Sequence, residues 1–234
     1  MDNTIKIITD SGCDISTENA ERYKDLLEII PFMVTINGKS YADRRDIQPD
    51  EFYKILKEQQ EIPKHSQITA IQFEEKYREL YEQGIRTIIV DVINAAGSQT
   101  FSNYQLAKQN VAEDLKDLPI YTIDSQNYTL CYGYHIIEAY KKLEAGQYAE
   151  SVAAYLDDWG KHADAYIIGF ELRHMKKSGR ISASASFLGE LMGLKPLIYT
   201  GGAKTEVIRK ARGEKAVNDA AVDTIASRII PETP

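Results

Sequence analysis

Residues 4–14, TIKIITDSGCD, decide how the rest of the chain is read. Thr4–Thr9 is rich in β-branched residues and reads as a short strand. The chain then turns small and polar at Asp10-Ser11-Gly12-Cys13-Asp14, and a helix is expected over Thr17–Leu27. A strand, a small polar loop and a helix form the opening unit of an α/β fold. Its functional edge lies at the strand C-termini.

The unit recurs. Thr87–Ile93 (TIIVDVI) is an almost continuous β-branched run, as expected of a strand buried on both faces. It feeds Asn94–Thr100 and a helix from about Ser102 to Leu115. Ile120–Ile123 is the next strand, closing on Asp124-Ser125 and followed by helices at Tyr132–Leu143 and Ser151–Trp159. Between these units, Ile29–Ile36 reads as one strand with a hairpin signal at Asn37-Gly38. A helix runs from Gln48-Pro49-Asp50 to Lys57. Ile62–Thr69 reads as a loop, and Phe73–Gln83 as a helix ended by Gly84. In a parallel sheet the small polar loops gather along one edge, so Ser11, Ser98 and Ser125 are candidates to converge there. Helix N-capping is the commoner task for such hydroxyls.

After Trp159 the pattern restarts, with Ala165–Phe170 as a strand. Two lobes are expected, residues 1–160 and residues 161–234. Leu172–Pro196, LRHMKKSGRISASASFLGELMGLKP, carries a basic cluster (Arg173, His174, Lys176, Lys177, Arg180) in a chain of net charge −7. A helix is expected to open near Ser182 or Ser184 and run through Leu194 to Lys195-Pro196. Ala185, Gly189 and Gly193 recur every fourth residue and would share one face. Spacing alone favours tight helix packing there; a smooth apolar face beside a positive loop also suits an amphiphile. Pro196–Thr200 and Thr205–Lys210 flank Gly201-Gly202 as a hairpin, and Ala216–Ile229 is a terminal helix.

Several classes are disfavoured. The chain has 234 residues, 43% hydrophobic and 27% charged, so it can bury a real core. No apolar run approaches the roughly 18 residues of a membrane span. The N-terminus is no signal peptide, and a cytoplasmic protein is expected. Cys13 and Cys131 sit in no paired or metal-ligand pattern. Asp10 and Asp14 do not suffice for a metal site. Net acidity argues against nucleic acid as a partner. There is no GxSxG elbow, no phosphate-binding Gly-rich loop and no dinucleotide fingerprint. What remains is hydroxyls, backbone donors and a few cations, the inventory of a binder.

The ordered segments TDSGCD (9–14), PKHSQIT (63–69), NAAGSQTF (94–101), IDSQNYTLCYGY (123–134), LRHMKKSGRIS (172–182) and GELMGLKPLI (189–198) resemble the DegV family of bacterial fatty-acid-binding proteins. The match runs in register over essentially the whole chain. The resemblance implies a two-lobed α/β fold with a parallel-sheet N-lobe and a smaller mixed α/β C-lobe. It also implies a carrier rather than an enzyme, with a long-chain fatty acid buried between the lobes as its ligand and no cofactor or metal. A partner fatty acid kinase would phosphorylate the presented carboxylate, and membrane contact would be transient. The family holds the carboxylate with the Thr of a TSQ loop and the Ser of an SGT loop, which correspond in this chain to His65 and Ser98. His65 departs from the pattern, as do Ile68 in place of Pro and Asn94–Gly97 in place of a serine-rich run. Arg180 and Arg212 correspond to positions at the pocket mouth or kinase-docking surface. With the family in view, Ala185, Leu188, Gly189, Met192 and Gly193 become candidates to line the acyl chain. Family chains continue past the position of Pro234, so the C-lobe reads as incomplete or truncated. The competing expectations are an acyl- or phosphoryl-transfer enzyme using Ser98 with His65, and an interaction module without ligand.

Overall fold

Four parallel strands frame the first part of the chain: β1 (Ile5–Asp10), β2 (Leu27–Ile30), β6 (Thr87–Val92) and β7 (Ile120–Asp124), in the order β2-β1-β6-β7. The computed structural model describes residues 4–58, 61–170, 193–202 and 205–229. The chain divides into two compact units, Met1–Ala163 and Asp164–Pro234.

In the first unit, β1 and β6 occupy the centre, with Ile7 level with both Leu27 and Ile89. Successive residues point to opposite faces of a strand, and both faces of this sheet are apolar. Ile7 and Ile89 enter one core with Tyr132, Ile136 and Leu156, from helices α5 (Leu130–Glu144) and α6 (Ala149–His162). Ile8, Ile88 and Val90 enter the other with Phe73, Tyr77 and Tyr104, from α3 (Ala70–Glu82) and α4 (Thr100–Val111). The result is a helix–sheet–helix sandwich, which explains the β-branched run at Thr87–Ile93.

A second, antiparallel sheet interrupts this pattern. The expected single strand Ile29–Ile36 is two strands, because Pro31 has no N–H to continue a ladder. β2 stays in the parallel sheet, whereas β3 (Met33–Ile36) pairs with β4 (Lys39–Ala42) and β5 (Lys64–Ser66). β5 falls where a loop was expected. Its three residues are all exposed, so no hydrophobic alternation marks them, and their pairing is through the backbone. The two remaining helices of this unit are α1 (Thr17–Arg22) and α2 (Pro49–Glu58). α1 stops short of Leu27 because Leu26 and Leu27 are buried, Leu27 as the first residue of β2.

The second unit holds an antiparallel sheet ordered β10-β9-β8, from β8 (Tyr166–Ile168), β9 (Leu194–Tyr199) and β10 (Glu206–Arg212). Helix α7 (Glu214–Ala226) lays Val217 and Ala221 against Leu197. The hairpin expected around Gly201-Gly202 is present as β9–β10. The helix expected to run through Leu194 is corrected at its end. Leu194 opens β9, and Gly193 is a turn at φ +84°, whose carbonyl accepts from Gly213 N–H at 3.1 Å. A residue in that conformation does not continue a helix face. Arg180, Ala185, Leu188, Gly189 and Met192 lie outside the described residues.

Candidate functional site

The carboxyl edge of the parallel sheet gathers the loops that the sequence singled out. β1 and β7 both end in Asp-Ser, and each aspartate reaches across to the loop that follows β6. Asp10 Oδ2 accepts from Ile93 N–H at 2.8 Å, and Asp124 Oδ1 accepts from Ala95 N–H at 3.0 Å. Asp10 Oδ1 also accepts from Gly12 N–H at 2.8 Å and from the Tyr132 hydroxyl at 2.6 Å. Gly12 is required there, since a Cβ would lie 2.9 Å from Asp10 Oδ1 and 2.9 Å from Tyr132 Oη. Asp10 is fully buried, and burial pushes its pKa up to about 6 against the pull of these three hydrogen bonds.

The three candidate serines divide by task. Ser11 Oγ accepts from Phe32 N–H at 3.1 Å. Ser125 Oγ accepts from Asn127 N–H and donates to Asn127 O, both at 3.2 Å. Both serines are buried, and their hydroxyls hold loops in shape. Ser98 is half-buried, two residues before α4. Its Oγ accepts from Thr100 N–H at 3.2 Å and forms a hydrogen bond with Thr100 Oγ1 at 2.9 Å in which either hydroxyl can donate. When Thr100 donates in that pair, Ser98 keeps its own proton for an acceptor outside the loop. Gln99, the N-cap residue of α4, makes no side-chain cap bond, and the partial positive charge of the helix start also suits an anion.

His65 is exposed on β5, level with Val34, and its ring stands edge-on to Phe32 with centroids 5.9 Å apart. The segment that follows β5 lies beside the start of α4, which the Ser98 loop leads into. Gln67 Nε2 donates to Gln99 Oε1 at 3.4 Å, and Asn103 Nδ2 donates to Ile68 O at 2.7 Å. Arg44 and Asp14, both at positive φ, form an ion pair at 2.5 Å that ties the turn after β1 to the segment after β4. In the second unit, Arg212 ends β10 and is exposed, with its Cγ 4.0 Å from where a Cβ on Gly193 would stand.

Sequence reasoning missed the carboxylates that organise this edge. Asp10 and Asp124 were readable as a repeated Asp-Ser at the ends of two strands. It also missed Asp91 and His135, both fully buried, with His135 Nε2 2.6 Å from Asp91 Oδ2. Burial raises the Asp91 pKa, with His135 opposing. An aspartate inside an apolar strand was the available signal, because a buried charge demands a partner. Among the described residues no group of three His, Cys, Asp or Glu could hold a metal ion. Nor, among them, is any helix long and apolar enough to cross a membrane.

Comparison with known proteins agrees with this architecture. The DegV family model, described as "Uncharacterised protein, DegV family", matches residues 4–232. A DegV domain-containing protein of Clostridium perfringens is 28% identical over 223 residues, covering 95% of this chain and 77% of that protein. Among solved structures, a stearic acid-binding protein from Eubacterium ventriosum matches at TM-score 0.83 and 27% identity, over 95% of this chain and 77% of that one. A DegV family protein from Thermus thermophilus, described by its fatty acid binding, matches at TM-score 0.80 and 28% identity, over 96% and 77%. With the family pattern spanning nearly every residue and a mixed α/β fold built on a four-stranded parallel sheet, the chain belongs to the DegV family.

Proposed function

We propose that this chain binds one long-chain fatty acid and holds its carboxylate at the carboxyl edge of the parallel sheet. Ser98 donates a hydrogen bond to the carboxylate, and His65, on β5, supplies a second polar contact. The likeness to two fatty-acid-binding structures at 27% and 28% identity, over 95% and 96% of the chain, carries this reading. The half-buried Ser98 hydroxyl at the start of α4 supports it, because a carboxylate leaving water needs such donors. We further propose that the bound acid is presented to a partner fatty acid kinase, with exposed Arg212 on the docking surface. The chain then acts as a carrier with the lipid as its ligand. A serine nucleophile would need a base within hydrogen-bond reach. The hydrogen bonds of Ser98 go to Thr100 instead, which favours a donor over a nucleophile.

Native mass spectrometry of the protein purified from bacteria tests the reading. The expected spectrum shows one added mass of fatty-acid size, exchangeable for palmitate or oleate. A bare protein that takes up neither added acid would sink it. Kinase presentation is tested separately, by acyl-phosphate formation with a fatty acid kinase and ATP.

A further inference from the structure

Asp10 closes β1 inside the protein, and three donors from three segments converge on its carboxylate. They are Gly12 N–H, Ile93 N–H and the Tyr132 hydroxyl. Ile93 begins the loop that carries Ser98, and Ala95 in the same loop is tied to Asp124. The two strands that flank β6 therefore fix the path of that loop. Three donors suit a carboxylate, which only accepts. A carboxylic acid would bring a fourth donor hydrogen into the same space.

We propose that Asp10 is the positioning residue of the Ser98 loop, and that an anionic head group binds there only while Asp10 is charged. The proposal rests on the fatty-acid reading above. The titratable and charged groups around Asp10 are Tyr132 on α5, Asp91 on β6 with its partner His135 on α5, and Cys13 in the turn after β1. Beyond them stand Asp14, paired with Arg44, and Asp124 at the end of β7. Burial holds the Asp10 pKa at about 6, so both charge states are populated near neutral pH. The stability sign follows. A carboxyl raised from 3.8 to about 6 contributes most to folding below 3.8, and that contribution is lost as pH rises through about 6. At neutral pH the charged form therefore counts against stability, which fits a group retained for the position it enforces.

Amide 1H–15N shifts of Gly12 and Ile93 in the ligand-free protein, and palmitate affinity, are to be followed from pH 8 to pH 5. Both amides are expected to titrate with one midpoint. One unit below it only about a tenth of Asp10 is charged, so palmitate binds about tenfold more weakly. Tyr132→Phe removes a bond that favours the charged form, so the amide and binding midpoints move up together. The titration of palmitate itself is common to both proteins and cancels in that shift. Asp10→Asn keeps the shape but turns an N–H toward the donors; it weakens binding at every pH and abolishes the step. Amides that do not titrate in this range, or a binding profile identical in wild type and Tyr132→Phe, would overturn the proposal. Amides that titrate in a protein that binds no palmitate at pH 8 would overturn the fatty-acid reading and, with it, the ligand role of Asp10.

Discussion

Ser98 and Ser125 show how two serines in similar loops come to carry different consequences. The Ser125 hydroxyl is fully buried and bonds to Asn127 through both its proton and its lone pair. Among the described residues, the half-buried Ser98 hydroxyl pairs with Thr100 alone. Ser98→Ala is therefore expected to lose a donor to a charged ligand, a cost of about 1.5–3 kcal/mol. That corresponds to roughly 10- to 150-fold weaker palmitate binding by calorimetry; Tm falls as well, because buried Thr100 loses the Ser98 oxygen to which its N–H donates. Ser125→Ala strands a buried N–H, at about 1–3 kcal/mol. It should lower Tm clearly while the folded fraction keeps its affinity. If Ser98→Ala binds palmitate as wild type does, Ser98 is not in the site. The sequence alone treated these hydroxyls alike, because a cap and a ligand donor use the same residue type in the same kind of loop. Burial and partners separate them.

The elements were legible where apolar periodicity spoke and obscure where pairing or proline decided. Thr87–Ile93 could only be a buried strand, and the hairpin at Gly201-Gly202 followed from its flanking runs. Lys64–Ser66 carries no pattern, and its strand exists through β3. The start of α3 is marked by Thr69 and Gln72, which form a reciprocal capping box, so the helix begins at Ala70 and not at Phe73. Packing between elements is set at Gly133. A Cβ there would stand 2.1 Å from the Cys13 carbonyl oxygen and 3.2 Å from Ile15 Cγ1. Gly133→Ala gains up to about 1 kcal/mol of helix propensity. The contact falls on backbone, which cannot swing aside, and forcing it costs about 1–3 kcal/mol. The displaced α5 would also draw Tyr132 from Asp10. We expect a net loss of stability in denaturant melts, together with weaker palmitate binding.

At the scale of the molecule, the described residues of the two units form unequal cores. The first has two large clusters, one on each face of the parallel sheet, with Ile7, Ile8, Ile88, Ile89 and Val90 fully out of solvent. Among the described residues the second unit's core cluster holds Leu197, Val217 and Ala221, while Val222, Ile225 and Ile229 stay exposed. Its sheet is edged by β10, whose Arg209, Lys210 and Arg212 are exposed. Burial is the main source of cohesion, so local opening should cost least where buried apolar contact is scarcest. Around Asp164, the Tyr166 and Tyr199 hydroxyls donate at 2.9 Å and Arg228 sits at 3.5 Å. Asp164 and Arg228 are exposed and the two tyrosines half-buried, and such solvent-reached contacts add little each. Native-state hydrogen exchange should therefore find the amides of β1 and β6 protected to the limit of global unfolding. Those of β8, β9 and β10 should exchange through a smaller opening whose free energy lies below that limit. Denaturant dependence reads the size of each opening, since its slope scales with the surface exposed. A shallow slope for β8–β10 beside a steep one for β1 and β6 is the expected result. Equal slopes and equal protection would show that the two units open as one cooperative body, and that the unequal burial does not govern their stability.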